Sequence, residues 1–238
     1  MKSAVSSKPR LGTRGQPEQT RAAILDAALK EFSIEGIAGA RTDAIARAAG
    51  VNKALLYYYF HDKETLYGAA LDHVFGGLTE RLEKALKPEL RPGEKILAYA
   101  QAHFDYVSEN PVYPRMVQRE MMRAGTVTSP HIGSPHIRQM VERYFKPTFM
   151  KLAQILQEGI EAGEFRPINP AQYIPSMIAI IVFYFINTPV MRLIMPGDPL
   201  SPERVAERRA AVLDFISASL FRNPPALIQA PNHKEKLS

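Results

Sequence analysis

Cysteine is absent from the 238 residues, which excludes disulfides, thiolate metal sites and cysteine nucleophiles and suits a reducing, cytoplasmic setting. A nucleophile elbow, a His-Glu-x-x-His pair and a glycine-rich phosphate loop are absent too, so an α-helical enzyme is the remote alternative. No apolar run reaches the ~20 residues that a membrane helix needs. The longest, Tyr173 to Ile186, is bounded by Asn187 and Pro189, which predicts burial against protein rather than lipid. Residues 1–16 hold no acidic side chain and no apolar core, so they are not a secretion signal. Their Lys2, Lys8, Arg10 and Arg14 make a basic arm, read either as a disordered strand that lies on DNA phosphates or as a solvated tail. His131 and His136 have no carboxylate or thiolate close by in sequence, so no metal or other cofactor is expected.

What the chain does have is helix signal nearly throughout, and a net charge of +6 that suits a polyanionic partner. The most informative stretch is Thr42 to Lys63. Thr42 suits an N-cap, Asp43 the positive end of a helix dipole, and the run from Ala44 to Ala49 stops at Gly50. Asn52 can cap a second short helix. There Leu56 and Phe60, four apart, share one buried face, and Lys53, Leu55, Tyr57 and Tyr58 point elsewhere. Two packed helices of an ordinary bundle would give the same spacing, but a lysine, an apolar side chain and two tyrosines on an exposed helix also suit phosphates and base edges.

A first helix from Pro17 to Glu35, closed by Gly36, carries Ile24, Leu25, Ala28 and Phe32. These residues with Gly36, followed by Thr42, Ile45, Ala46, Ala49, Gly50, Val51, Lys53, Leu56, Tyr57, Phe60, Lys63 and Leu66, closely resemble the N-terminal domain of TetR/AcrR-type transcriptional regulators. The resemblance spans about Gln19 to Leu66. It implies an all-α protein: a helix-turn-helix DNA-binding domain over 17–62 and a larger helical effector-binding and dimerisation domain over 63–222; residues 223–238 themselves read as a disordered tail. It further implies a homodimer on a palindromic double-stranded operator, joined through the last two long helices, about Ala171 to Ile194 and Pro202 to Phe221. The DNA-contact candidates are then Thr42, Asn52, Lys53, Leu55, Tyr57, Tyr58 and Lys63, with Arg21 a further backbone contact. Thr42, Tyr57 and Lys63 are expected on phosphates, and Lys53, Leu55 and Tyr58 on bases. Leu55 departs from the small or hydroxylated residue often found there in the family.

Beyond Lys63 the expectation is a helix to about Leu86, with Gly76-Gly77 marking a kink or a close helix contact. A helix from Glu94 to Glu109 follows, then a methionine-rich one from Val112 to Ala124. A long one runs from His136 to Ala162, and Pro147 should kink it near Arg143 to Lys146. An effector pocket is implied between the DNA domain and the dimer helices. Its candidates are Phe75, His103, Tyr106, Met116, Arg119, Glu120, Tyr144, Phe149, Met177 and Tyr184. Aromatic and methionine stripes also read as core, His103 as a satisfied core histidine, and Arg119 beside Glu120 as an ion pair. The functional expectation is a ligand-responsive repressor released by a small, mostly apolar or aromatic effector, with room for one acidic group. A sequence-non-specific architectural DNA-binding protein is the alternative.

Overall fold

The computed structural model describes residues 17–123, 125 and 134–225. The basic arm, His131 and the end of the tail lie outside them. The described residues form α1 (Pro17–Gly39), α2 (Thr42–Ala48), α3 (Lys53–Phe60), α4 (Lys63–Ala85), α5 (Pro92–Glu109), α6 (Val112–Arg123), α7 (Pro135–Met140), α8 (Lys146–Glu161), α9 (Pro170–Ile186), α10 (Thr188–Ile194) and α11 (Pro202–Leu220). The class is all-α. Extended pairing among the described residues is confined to one isolated antiparallel bridge, Phe165 to Phe221.

Helix α1 is broken at Gly36 (φ 64°, ψ 175°), a left-handed conformation that glycine adopts without a Cβ penalty, so the helical stripe does end where expected and only a short turn follows. Its face Ile24, Ala28 and Phe32 is fully buried, and α1 packs on α2, α4 and α6. Helix α4 is continuous from Asp62, whose side chain accepts from Thr65 N at 2.7 Å, to Ala85. The glycine pair therefore marks a close contact and not a kink. A Cβ on Gly77 would stand 2.8 Å from the Tyr106 hydroxyl, which donates to the Val74 carbonyl at 2.7 Å.

Pro147 acts where the sequence places it. It has no N–H to give and its ring crowds the carbonyl four residues earlier, so the chain widens into a π-helical turn over Val141–Phe145 between α7 and α8. Helix α9 is capped by Asn169, whose side chain accepts from Ala171 N at 2.9 Å. Its apolar run does not continue to Ile194. The chain bends by 67° between Pro170–Ile186 and Thr188–Ile194, because Asn187 caps the first helix and Pro189 opens the second. The expected dimer helix is thus two helices. Among the described residues no single helix is long and apolar enough to cross a membrane. Helix α11 is tied to α5 by Arg209, whose Nε and Nη2 meet the Asp105 carboxylate at 2.7 and 3.0 Å.

Candidate functional site

Two regions carry the candidates, a small head of α1 to α3 and a cavity in the larger bundle. In the head, Leu56 and Phe60 anchor α3 at 0% and 2% exposure, which fixes which side of that helix faces outward. Asn52 caps α3 by accepting from Leu55 N at 2.8 Å. Thr42 does not cap α2. It is the first helical residue, Arg41 occupies the cap without a side-chain bond, and the buried Thr42 hydroxyl lies 3.2 Å from the Tyr57 hydroxyl instead. Lys53 pairs with Asp43 at 3.0 Å, and this carboxylate holds the ammonium pKa above its ordinary value. Tyr58 is 75% exposed, and Leu55 is half-buried. The Lys63 ammonium sits on the carbonyls of Ala38 and Ala40 at 3.5 and 3.3 Å. Arg21, exposed, lies over the Phe60 ring at 5.1 Å. The seven DNA-contact candidates therefore belong to α2, α3, their turn and the first residue of α4. Sequence reasoning passed over Arg41 and Arg47, which are exposed on α2 and its cap. Their charge and position beside Thr42 were the available signal.

The cavity, about 530 Å³, lies among α4, α5, α6, the π-helical turn, α8 and α9. Phe75, His103, Tyr144 and Phe149 are in its wall, together with Tyr99, Tyr113, Phe145 and Pro175, which the sequence did not single out. Phe145 was foreshadowed by Pro147, because the widened turn presents Tyr144 and Phe145 to the cavity as neighbours in sequence. Among the described residues no charged side chain lines this space. Phe75 stands at the centre of an aromatic cluster, 5.6 Å from the Tyr113 ring, 6.2 Å from that of Tyr144 and 5.1 Å from that of Phe145. His103 is buried, with Nδ1 3.2 Å from the Tyr99 hydroxyl and Nε2 without a partner among the described residues, so it is a half-satisfied core histidine. Burial lowers its pKa to about 4, and the ring is neutral at pH 7.

The other six effector candidates stand elsewhere. Tyr106 leans on Gly77, Met116 and Met177 are core, and the Tyr184 hydroxyl donates to the Pro199 carbonyl at 2.7 Å. Arg119 and Glu120 are not paired with each other. Arg119 donates from Nε to the Ser33 carbonyl at 3.0 Å and from Nη2 to the Ile34 carbonyl, in the turn that Gly36 ends. Glu120, fully buried, accepts from the Tyr67 hydroxyl at 2.9 Å and from Ser134. Burial first, then the neighbouring Glu120, raises the Tyr67 pKa. One turn further, Arg123 and His136 both meet Glu64 in the first turn of α4, at 3.2 and 3.0 Å. Burial alone would raise the Glu64 pKa, but the His136 bond and the Arg123 charge bring it below its ordinary value.

Helix α6 therefore has two working faces. Tyr113, Val117 and Met121, spaced by four, line the cavity. Arg119, Glu120 and Arg123 bind the helix to α1 and α4, with Met116 buried beside them.

Comparison with known proteins fits this division. Residues 24–70 match the family model of bacterial regulatory proteins of the tetR family, and residues 92–216 match the tetracyclin repressor-like C-terminal domain. The chain is 31% identical over 181 residues to the HTH-type transcriptional repressor SCO4008 of Streptomyces coelicolor, covering 76% of this chain and 85% of that protein. The chain belongs to the TetR family. It is a DNA-binding transcriptional regulator, and its family is not one of architectural DNA-binding proteins. Another relative, the HTH-type transcriptional repressor KstR2 of Mycolicibacterium smegmatis, is 26% identical, with 84% of this chain and 92% of that one covered. Among solved structures, the TetR family regulator PfmR from Thermus thermophilus superposes with a TM-score of 0.63 at 26% identity, covering 84% of this chain and 99% of the other.

Proposed function

We propose that this TetR-family regulator is a repressor that binds a palindromic operator as a homodimer and leaves it when a small, mostly apolar or aromatic effector enters the cavity among α4, α5, α6, α8 and α9. The observation that carries the reading is the double use of α6. One face of that helix lines the uncharged cavity, and the other holds α1 through Arg119 and α4 through Glu120 and Arg123. A ligand that resets α6 alters the bearing of the head, and its differential affinity for the two arrangements sets how far operator binding shifts.

On this reading Thr42, Tyr57 and Lys63 meet phosphates, and Asn52 orients the start of α3 through its cap. Lys53, Leu55 and Tyr58 face the bases, with Leu55 favouring an apolar base edge such as a thymine methyl. The dimer forms through α9, α10 and α11, where Phe183, Val190, Leu193, Ile194 and Phe215 are exposed on the chain taken alone. Two heads related by a twofold axis then read two half-sites at a fixed spacing. The head corresponds to 17–62 and the effector and dimer part to 63–222. The test is an anisotropy titration of a duplex from the regulator's own promoter against a scrambled duplex of equal length. A repressor prefers the promoter by a large factor, binds it as two chains per duplex and loses affinity on addition of a cavity ligand. Equal affinity for both duplexes would remove the reading.

A further inference from the structure

His103 is a polar side chain in the wall of the cavity that the protein leaves half used. His103 is 2% exposed, its Nδ1 lies 3.2 Å from the Tyr99 hydroxyl, and its Nε2 is without a partner among the described residues. The Tyr99 proton decides between the two neutral tautomers. If Nδ1 carried the hydrogen and donated to Tyr99, the tyrosine proton would lack an acceptor and the Nε2 lone pair would lack a donor. If Tyr99 donates to Nδ1, the ring hydrogen is on Nε2, and that single N–H is the group left over. The second arrangement strands fewer buried polar groups and is the favoured one.

Of the other hydroxyls of the wall, those of Thr79 and Tyr144 are already engaged, which leaves Tyr113 and Thr148 as further hydroxyls beside His103. Thr79 donates to the Phe75 carbonyl at 2.9 Å, and Tyr144 donates to Asp72 Oδ1 at 3.0 Å. No charged side chain among the described residues lines the space, so an ionised ligand would leave water without a counter-charge to meet it. The remainder of the wall is aromatic and aliphatic, with Phe75, Tyr113, Phe145 and Phe149 offering ring faces and edges.

We propose that the effector is an uncharged, largely aromatic or apolar molecule bearing one hydrogen-bond acceptor, a carbonyl or ether oxygen, which His103 receives through its Nε2–H. This rests on the reading of the cavity as the effector site. His103 selects among hydrophobic molecules of similar shape, because a ligand without the oxygen leaves the buried N–H unmet.

The test uses the full chain and three probes of one shape: benzophenone, diphenylmethane and diphenylacetate, titrated by calorimetry. Benzophenone is expected to bind about ten-fold more tightly than diphenylmethane, the margin of one buried hydrogen bond, and diphenylacetate more weakly than benzophenone. His103→Leu should abolish the preference while diphenylmethane still binds. Nitrogen-15 NMR of the histidine side chains, which needs no variant, should find His103 protonated on Nε2. Equal affinities of benzophenone and diphenylmethane, tightest binding of the carboxylate, or a hydrogen on Nδ1 would each overturn the assignment to His103 and leave the cavity reading standing. Failure of all three probes to bind would overturn the cavity reading and this inference with it.

Discussion

Lys63 is the side chain whose position bears most directly on how the head meets a phosphate. Its ammonium rests on the Ala38 and Ala40 carbonyls, a partly exposed arrangement that a phosphate oxygen can join or displace without moving the helix. Lys63→Ala should weaken binding to operator and random DNA alike and lower the slope of log affinity against log salt by about 1; an unchanged slope in a salt titration would contradict the role. Asn52 works differently, since its side chain is committed to Leu55 N. Asn52→Ala should lower stability by about 1 kcal/mol, read as a drop in denaturant midpoint, before any effect on base contacts. His103 gives a pH signature. Its folded pKa of about 4 lies below its ordinary 6.5, so between these values the unfolded chain holds a proton that the folded chain does not. Stability therefore falls as pH drops from 6.5 to 4, by up to about 3 kcal/mol from this group. Denaturant melts of the wild type and of His103→Leu across that window should show a shallower acid loss in the variant.

At the scale of the element, α6 is where the sequence was least transparent. The helix itself, the cap at Asn52 and the disturbance before Pro147 were all legible, because each rests on contacts within a few residues of itself. Arg119 and Glu120 were not, because adjacency in sequence suggested a pair, whereas a helix points neighbours about 100° apart and their partners, Ser33, Ile34, Tyr67 and Ser134, come from other segments of the chain. Thr42 misled in the same way. Its residue type suits a cap, but Tyr57 comes within reach of its hydroxyl only once α3 is folded against α2. Four of the ten effector candidates reach the cavity, and what the other six share is apolar or titratable character on a helix, which core and joint positions also require. The joint predicts a separation of functions. Arg119→Ala should leave ligand affinity within about two-fold while reducing ligand-induced operator release, a loss of about 1 kcal/mol of coupling. Calorimetry read beside anisotropy checks it, and release that stays at the wild-type level would contradict the role given to α6.

Across the whole molecule, the exposed apolar side chains of α9, α10 and α11 are the counterpart of the short α3. A single helix of eight residues reads few base pairs, so affinity for a palindrome depends on a second copy held at the right spacing. Asn187 and Pro189 mark the end of the apolar run, but the 67° bend there could not be inferred, since composition is blind to the direction in which a proline restarts a helix. Leu193→Asp together with Phe215→Asp should shift the chain towards monomer in sedimentation and weaken operator binding by at least about ten-fold, the loss expected when one of two half-sites is released. Regulation by a cavity ligand requires that filling the cavity change the affinity of the distant head. Its most direct measurement is the anisotropy of a labelled promoter duplex, titrated with the full chain with and without saturating benzophenone. Weakened binding to the promoter, restored on dilution of the ligand, is the predicted result. Calorimetrically confirmed binding of the ligand with unchanged promoter affinity would contradict it.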